Sequence, residues 1–358
     1  MNSLCAAIAF PTLGRISISI YFTMPLRTLI RNSRRAMSGT AALSGFVWMV
    51  VAIVVLTAQL CHAQSSFEIV PLGIRGGSDE SNLSSYAVSA TGENAWVCLD
   101  AGTIRAGIDM AIRNQTWQGD PVDILRQNIK GYLLSHPHLD HVSGLILNSP
   151  DDSAKPLYGT GECLDVVRDH YFTWKSWANF TNEGEKPTLN KYTYKVLTPG
   201  TTVPLSGTSL SVTAYPLSHV NPYTSTAFLV AHNASAILYL GDTGADRIEK
   251  SDKLDHLWKV AATHIKGKKL KAIFIEVSFA NDQADNLLFG HLTPKLLMEE
   301  LNKLAAELPA GALKNFPVII THMKPAGDRI QRIMAELKAA NTLGVQIVYP
   351  EQGRKLTF

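Results

Sequence analysis

Six consecutive residues constrain this chain more than any others: His136-Pro137-His138-Leu139-Asp140-His141, directly after the apolar run 132–135. Such a run, bounded by turn residues, reads as a strand. Alternate side chains of an extended segment point the same way, so His136 and His138 can reach one metal together. Asp140 and His141 fall in the following turn, where a helix can start, and can reach a second. Imidazoles with a carboxylate suit zinc or a similar first-row ion. A satisfied surface histidine cluster is the alternative, and three histidines and an aspartate in six residues argue against it.

The remaining ligands are expected at later strand ends, as isolated His or Asp residues. His219 follows the strand expected at 210–215, Asp242 follows 237–241, and His322 follows 318–321. Alone, each would be read as a capping or surface residue. Their order behind the His136 cluster promotes them to ligands.

Further strands are expected at 67–74, 86–90, 96–100, 226–231, 272–277 and 345–349, and helical spacing appears at 292–308 and 326–340. Strand runs followed by helices, in two successive sets, predict an α/β fold of two β-sheets covered by helices. Residues 150–205 fit least well. They carry Tyr171, Phe172, Trp174, Trp177 and Phe180, then a polar stretch, and are expected to form an insertion or lid over the site. Those aromatics are expected to pack a lid or core, with stacking on a purine as the alternative.

Taken together, these residues resemble the metallo-β-lactamase superfamily over essentially all of residues 64–358. The superfamily is an αββα sandwich of two mixed sheets flanked by helices, and its hydrolases carry two metals. Within it, the stretch from His136 to Leu145, continuing to Asn148-Ser149-Pro150, resembles the characteristic motif of class II cyclic-nucleotide phosphodiesterases. So do Leu72-Gly73-Ile74-Arg75-Gly76-Gly77, Asn82-Leu83-Ser84-Ser85-Tyr86 and Asp100-Ala101-Gly102-Thr103.

The resemblance implies one metal on His136, His138 and His219, and another on Asp140, His141 and His322, with Asp242 bridging. It implies that Asp100 steadies the ligand loop from behind, as orienting carboxylates do for metal-bound histidines. Two divalent ions are expected, zinc first, with manganese or iron as alternatives. The implied reaction is in-line attack on the phosphorus of a 3′,5′-cyclic nucleotide by a hydroxide held between the metals. Asp140 is counted in the catalytic centre. The ribose 3′ oxygen leaves and a nucleoside 5′-monophosphate results, with cyclic AMP as the expected substrate and cyclic GMP as the alternative. His291, in Phe289-Gly290-His291, resembles the proton donor of the related ribonuclease Z group. Glu276 stands where a glutamate supports that histidine, and is expected to keep it oriented and cationic. An exported hydrolase of the same fold acting on another ester, a thioester or a lactone is the competing reading. A non-catalytic binding protein is disfavoured, because seven buried ligand-type residues without metal would be costly.

Charge decides the class of partner. The 358 residues carry a formal +3. Residues 1–63 hold five arginines, no lysine and no acid, which leaves 28 basic against 30 acidic residues in 64–358, or −2. The basic excess therefore belongs to the N-terminal segment, and no nucleic-acid partner is expected. That segment has an uncharged run at 41–60 and ends Cys61-His62-Ala63. It is expected to be a signal peptide that sends the chain to the periplasm or outside the cell, with an uncleaved membrane anchor as the alternative. A small-molecule cyclic nucleotide is the expected partner. The oligomeric state stays open, a homodimer included.

Overall fold

The computed structural model describes residues 66–358. The expected leader, 1–63, lies outside them. Among the described residues no helix is long and apolar enough to cross a membrane.

Two seven-stranded sheets form the centre. In the first, β14 (Leu356–Thr357), β1 (Phe67–Gly73), β2 (Ser85–Ala90), β3 (Trp96–Leu99), β4 (Ile129–Leu133), β5 (Lys155–Gly159) and β6 (Tyr192–Val196) lie side by side in that order. In the second the order is β13 (Gln346–Val348), β12 (Pro317–Thr321), β11 (Leu270–Glu276), β10 (Ser235–Leu240), β9 (Thr224–His232), β8 (Ser211–Ser218) and β7 (Thr202–Pro204). Both sheets are mixed. Strands β3 to β6 run parallel, as do β10 to β13, while β8 and β9 pair antiparallel.

The strands are apolar on both sides, as strands covered on both faces must be. Phe67, Ile69, Val88, Phe228, Val230, Ile237, Tyr239, Phe274 and Ile319 fill the space between the sheets. The outer face of the first sheet is covered by α1 (Arg105–Arg113) and α2 (Leu139–Asn148) through Ile108, Val142 and Leu145. The outer face of the second is covered by α3 (Lys253–Lys266), α4 (Pro294–Ala306) and α5 (Arg329–Ala340) through Leu257, Trp258, Leu297, Leu301, Ile333 and Leu337. Apolar residues at three- and four-residue steps give α4 its buried stripe, and Thr293 caps it by accepting from the Leu296 N–H. The result is helix, sheet, sheet, helix.

The expected insertion at 150–205 is in part sheet. Residues 155–159 and 192–196 are β5 and β6, and they extend the first sheet at its far edge. Pro156 and Gly159 hide β5 from a reading of strand propensity. Of the aromatics between these strands, Phe172 is fully buried, and Tyr171, Trp177 and Phe180 pack against the same core. Trp174 is exposed. They therefore mainly pack.

Strand direction positions the site. β8 runs parallel to β10, because each pairs antiparallel with β9. The C-terminal ends of β8, β10, β11 and β12 therefore share one edge of the second sheet, and those of β3 and β4 share one edge of the first. Ligands in open α/β sheets gather at such carboxyl ends.

Trp258 tests the outer layer. It is fully buried in α3, and its indole N–H donates to Glu300 Oε2 in α4 at 3.1 Å. Trp258→Ala is expected to cost about 3–5 kcal/mol in urea unfolding. An unchanged midpoint would contradict this packing.

Candidate metal centre

Each candidate side chain stands at or just past the end of a strand. Asp100 follows β3, and His136 and His138 lie in the loop after β4. Asp140 and His141 are in the first turn of α2. His219 follows β8, Asp242 follows β10 by two residues, Glu276 ends β11, and His322 follows β12. His291 lies just before α4. Asp100 and His322 both adopt left-handed backbone, at φ of 57° and 58°. Such conformations in non-glycine residues cluster at functional sites. Gly76 lets the end of β1 come close, since a Cβ there would sit 2.1–2.5 Å from the His322 ring.

The hydrogen bonds fix which nitrogen of most rings carries the proton. Ser135 Oγ donates its one proton to Asp100 Oδ2 at 2.8 Å, so at 3.0 Å it must accept from His136 Nδ1. His141 Nδ1 donates to Asp100 Oδ2 at 2.8 Å. His219 Nδ1 donates to the Gly290 carbonyl at 2.8 Å. Ser278 Oγ donates to Glu276 Oε2 at 2.7 Å, so at 2.9 Å it accepts from His322 Nδ1. In their neutral forms four rings are thus left with bare Nε2 lone pairs.

Those lone pairs converge. With both rings neutral, His141 Nε2 lies 3.1 Å from His322 Nε2 and neither has a proton to give the other. His138 Nδ1 lies 3.1 Å from His136 Nε2 and 3.3 Å from His219 Nε2. Asp242 Oδ2 stands among them, at 3.8 Å from His136, 3.3 Å from His141, 4.0 Å from His219 and 3.2 Å from His322. Asp140 Oδ2 reaches His322 Nε2 at 3.1 Å and also accepts from the Gly77 N–H at 2.9 Å. His136, His138 and His219 form one group close enough to hold a single ion, and Asp140, His141 and His322 form another. Electron pairs aimed at one another without protons between them fit divalent cations.

Charge is divided unevenly across this cluster. Burial, then the neighbouring His141, hold His136 well below the ordinary histidine range. Burial likewise lowers His138 and His219. Burial opposes charge on His141 too, but Asp242, Asp100 and Asp140 outweigh it and push His141 well above that range. Burial disfavours the Asp242 carboxylate as well, yet His322, His141 and His291 hold it well below the usual range. A divalent ion competes with the proton at His141, as metals do with protons at any ligand.

Beside this cluster Glu276 Oε1 lies 2.8 Å from His291 Nδ1, so the pair expected from the sequence is in contact. The pair is oriented, but burial works against the cationic imidazole expected from the sequence. Burial drives His291 well below its ordinary value, and burial with the nearby Asp242 raises Glu276 to about 7. Desolvation outweighs the single contact between them.

Four-layer packing and converging strand-end ligands define a metallo-β-lactamase-fold protein with a divalent metal-binding site. Two solved structures share the fold: unliganded yeast PDE1, with a TM-score of 0.73 at 22% identity over 82% of this chain and 100% of that one, and the metallo-β-lactamase fold protein YhfI of Bacillus subtilis, with a TM-score of 0.55 at 16% identity over 82% of this chain and 99% of that one. A 3′,5′-cyclic-nucleotide phosphodiesterase of Aliivibrio fischeri is 40% identical over 311 residues, which span 83% of this chain and 94% of the relative. The family of class-II cAMP phosphodiesterases matches residues 67–353, and the chain belongs to that family.

The sequence reading missed the residues that orient the ligands. Ser135, Ser278 and Tyr239 each fix a ligand ring or the carboxylate behind it. Lys324, whose Nζ lies 2.9 Å from His291 Nε2, was also missed. Its place in Thr321-His322-Met323-Lys324-Pro325, two residues from a ligand, is the one local signal. Cys98 and Cys163 are both free and buried.

Asp100→Asn tests the support behind the ligands. An amide cannot accept from Ser135 Oγ, His141 Nδ1 and the Tyr239 hydroxyl as the carboxylate does. Metal affinity is expected to fall about 10–100-fold, read by competition with a chromogenic chelator. Wild-type affinity would contradict the arrangement.

Proposed function

We infer that this protein hydrolyses 3′,5′-cyclic nucleotides, cyclic AMP among them, to nucleoside 5′-monophosphates. The observation that carries the reading is the convergence of six His and Asp side chains around Asp242 in a chain of this family. In the proposed site His136, His138 and His219 hold one ion, Asp140, His141 and His322 hold a second, and Asp242 serves both. Two divalent ions in such a site supply Lewis-acid charge for an anionic phosphate and a hydroxide nucleophile at neutral pH. Zinc suits this nitrogen-rich donor set best, ahead of manganese or iron.

The chain's own residues orient and move protons. Asp100 and Ser278 hold Nδ1 protons on His141 and His322 and so keep their Nε2 atoms bare. Glu276 holds His291 by Nδ1, so a proton that His291 takes up from water sits on Nε2 and is passed from there to the departing ribose 3′ oxygen. That oxygen is a poor leaving group as an alkoxide, and general acid–base help of this kind is worth about 10²–10⁴ in rate. The proposed location follows from residues 1–63: five arginines without an acid, then the uncharged run 41–60, support export to the periplasm.

The test is conversion of cyclic AMP to 5′-AMP by the full chain supplied with zinc or manganese. Wild type is expected to turn over. Asp140→Ala is expected to lose nearly all activity, and His291→Ala about 10²–10⁴ of it. No turnover by wild type in either metal, or full activity in Asp140→Ala, would contradict the reading.

A further inference from the structure

Lys324 is a cation that the ligand scheme does not use. Its ammonium has three protons to donate, and the structure satisfies one of them, toward His291 Nε2 at 2.9 Å. The direction of that bond is fixed. His291 Nδ1 is held by Glu276 Oε1 at 2.8 Å, so Nε2 is the acceptor and the lysine the donor. Among the described residues Lys324 has no carboxylate partner, whereas Lys155, Lys259, Lys303 and Lys355 each have one.

The stem of Lys324 is held in place. It passes alongside Gly77, whose N–H donates to Asp140 Oδ2 at 2.9 Å. Nζ lies 5.2 Å from the centre of the Phe279 ring, which Arg329 approaches at the same distance. The lysine is only half-buried, so its other two donors remain available. A half-buried cation without a counter-ion, fixed between a metal-ligand loop and the Glu276–His291 pair, is placed to meet an anion that enters the site. A cyclic phosphodiester is such an anion, and its phosphoryl oxygens gain charge as the bond to the 3′ oxygen breaks.

We propose that Lys324 is a substrate-binding residue whose ammonium pairs with a phosphoryl oxygen of the cyclic nucleotide, on the side of the site occupied by His291. The assignment rests on the phosphodiesterase reading above. It also gives the Lys324–His291 contact a purpose. While the site is empty of substrate, the lysine covers Nε2. When the phosphate draws the ammonium to itself, Nε2 is freed to take up a proton from water and pass it to the leaving oxygen.

The alternative is that Lys324 merely caps the Phe279 ring with Arg329. Metal-loaded full-length wild type, Lys324→Met and Lys324→Arg separate the two roles. Methionine keeps the length of the stem and removes the charge. For Lys324→Met, kcat/KM for cyclic AMP is expected to fall about 100-fold, the loss typical of one charge-stabilising donor. Binding of inorganic phosphate, measured by calorimetry, is expected to weaken about tenfold, while metal per chain and melting temperature stay at wild-type values. Lys324→Arg is expected to recover most of the phosphate binding. Wild-type turnover and phosphate binding in Lys324→Met would overturn the proposal. So would a parallel loss of metal and melting temperature, which marks a structural cap. The calorimetry needs no turnover. If wild type fails on cyclic AMP while phosphate binding still depends on Lys324, the cyclic-nucleotide reading fails and Lys324 stands only as a phosphate-binding residue.

Discussion

The carboxylate of Asp100 is the contact on which the rest of the centre depends. It is completely buried and accepts four hydrogen bonds: from the Ser135 N–H at 2.7 Å, the Ser135 hydroxyl at 2.8 Å, His141 Nδ1 at 2.8 Å and the Tyr239 hydroxyl at 2.6 Å. A buried carboxylate is costly unless it is satisfied in this way. Each donor belongs to a different part of the site. Ser135 begins the ligand loop, His141 starts the helix that follows it, and Tyr239 comes from β10 in the other sheet. One side chain thus joins the two sheets, fixes two ligand tautomers and sets the height of the loop that carries His136 and His138.

The second sheet answers with a smaller copy of the same device. Ser278 takes the place of Ser135, donating to Glu276 and accepting from His322. Glu276 also holds His291. The two carboxylates differ in surroundings and therefore in task. Asp100 is surrounded by donors and stays an acceptor. Glu276 is fully buried and close to Asp242, which together raise it to about 7, a value suited to handling protons near neutrality. Between the two devices sits Asp242, the only carboxylate among the described ligand candidates within 4.0 Å of His136, His141, His219 and His322 together.

The parts legible in the sequence are those where chemistry is dense or local. His136 to His141 declare themselves by spacing. His219, Asp242 and His322 become legible by coming in order after strands, and the contact between Glu276 and His291 follows from the family likeness. Main strands and the helices α4 and α5 show through their periodicity. What could not be read is what the fold brings together from afar. Tyr239 reaches Asp100 across 139 positions, and Lys324 reaches His291 across 33. A serine or lysine has no pattern that announces such a partner. β5 and β6 were hidden for a different reason. Pro156 lowers the propensity of one, and the polar stretch before the other resembles a loop. The motif shows the contact of His291 with Glu276 but not the burial that lowers His291.

The central claim is that these ligands form one two-ion centre that serves cyclic-nucleotide hydrolysis. The most direct measurement is cyclic AMP turnover by the chelator-stripped protein as zinc is added back, with bound metal counted at each step. The account predicts negligible turnover in the stripped protein and a rise that levels off near two ions per chain. A plateau at one ion, or full turnover with no metal bound, would contradict it.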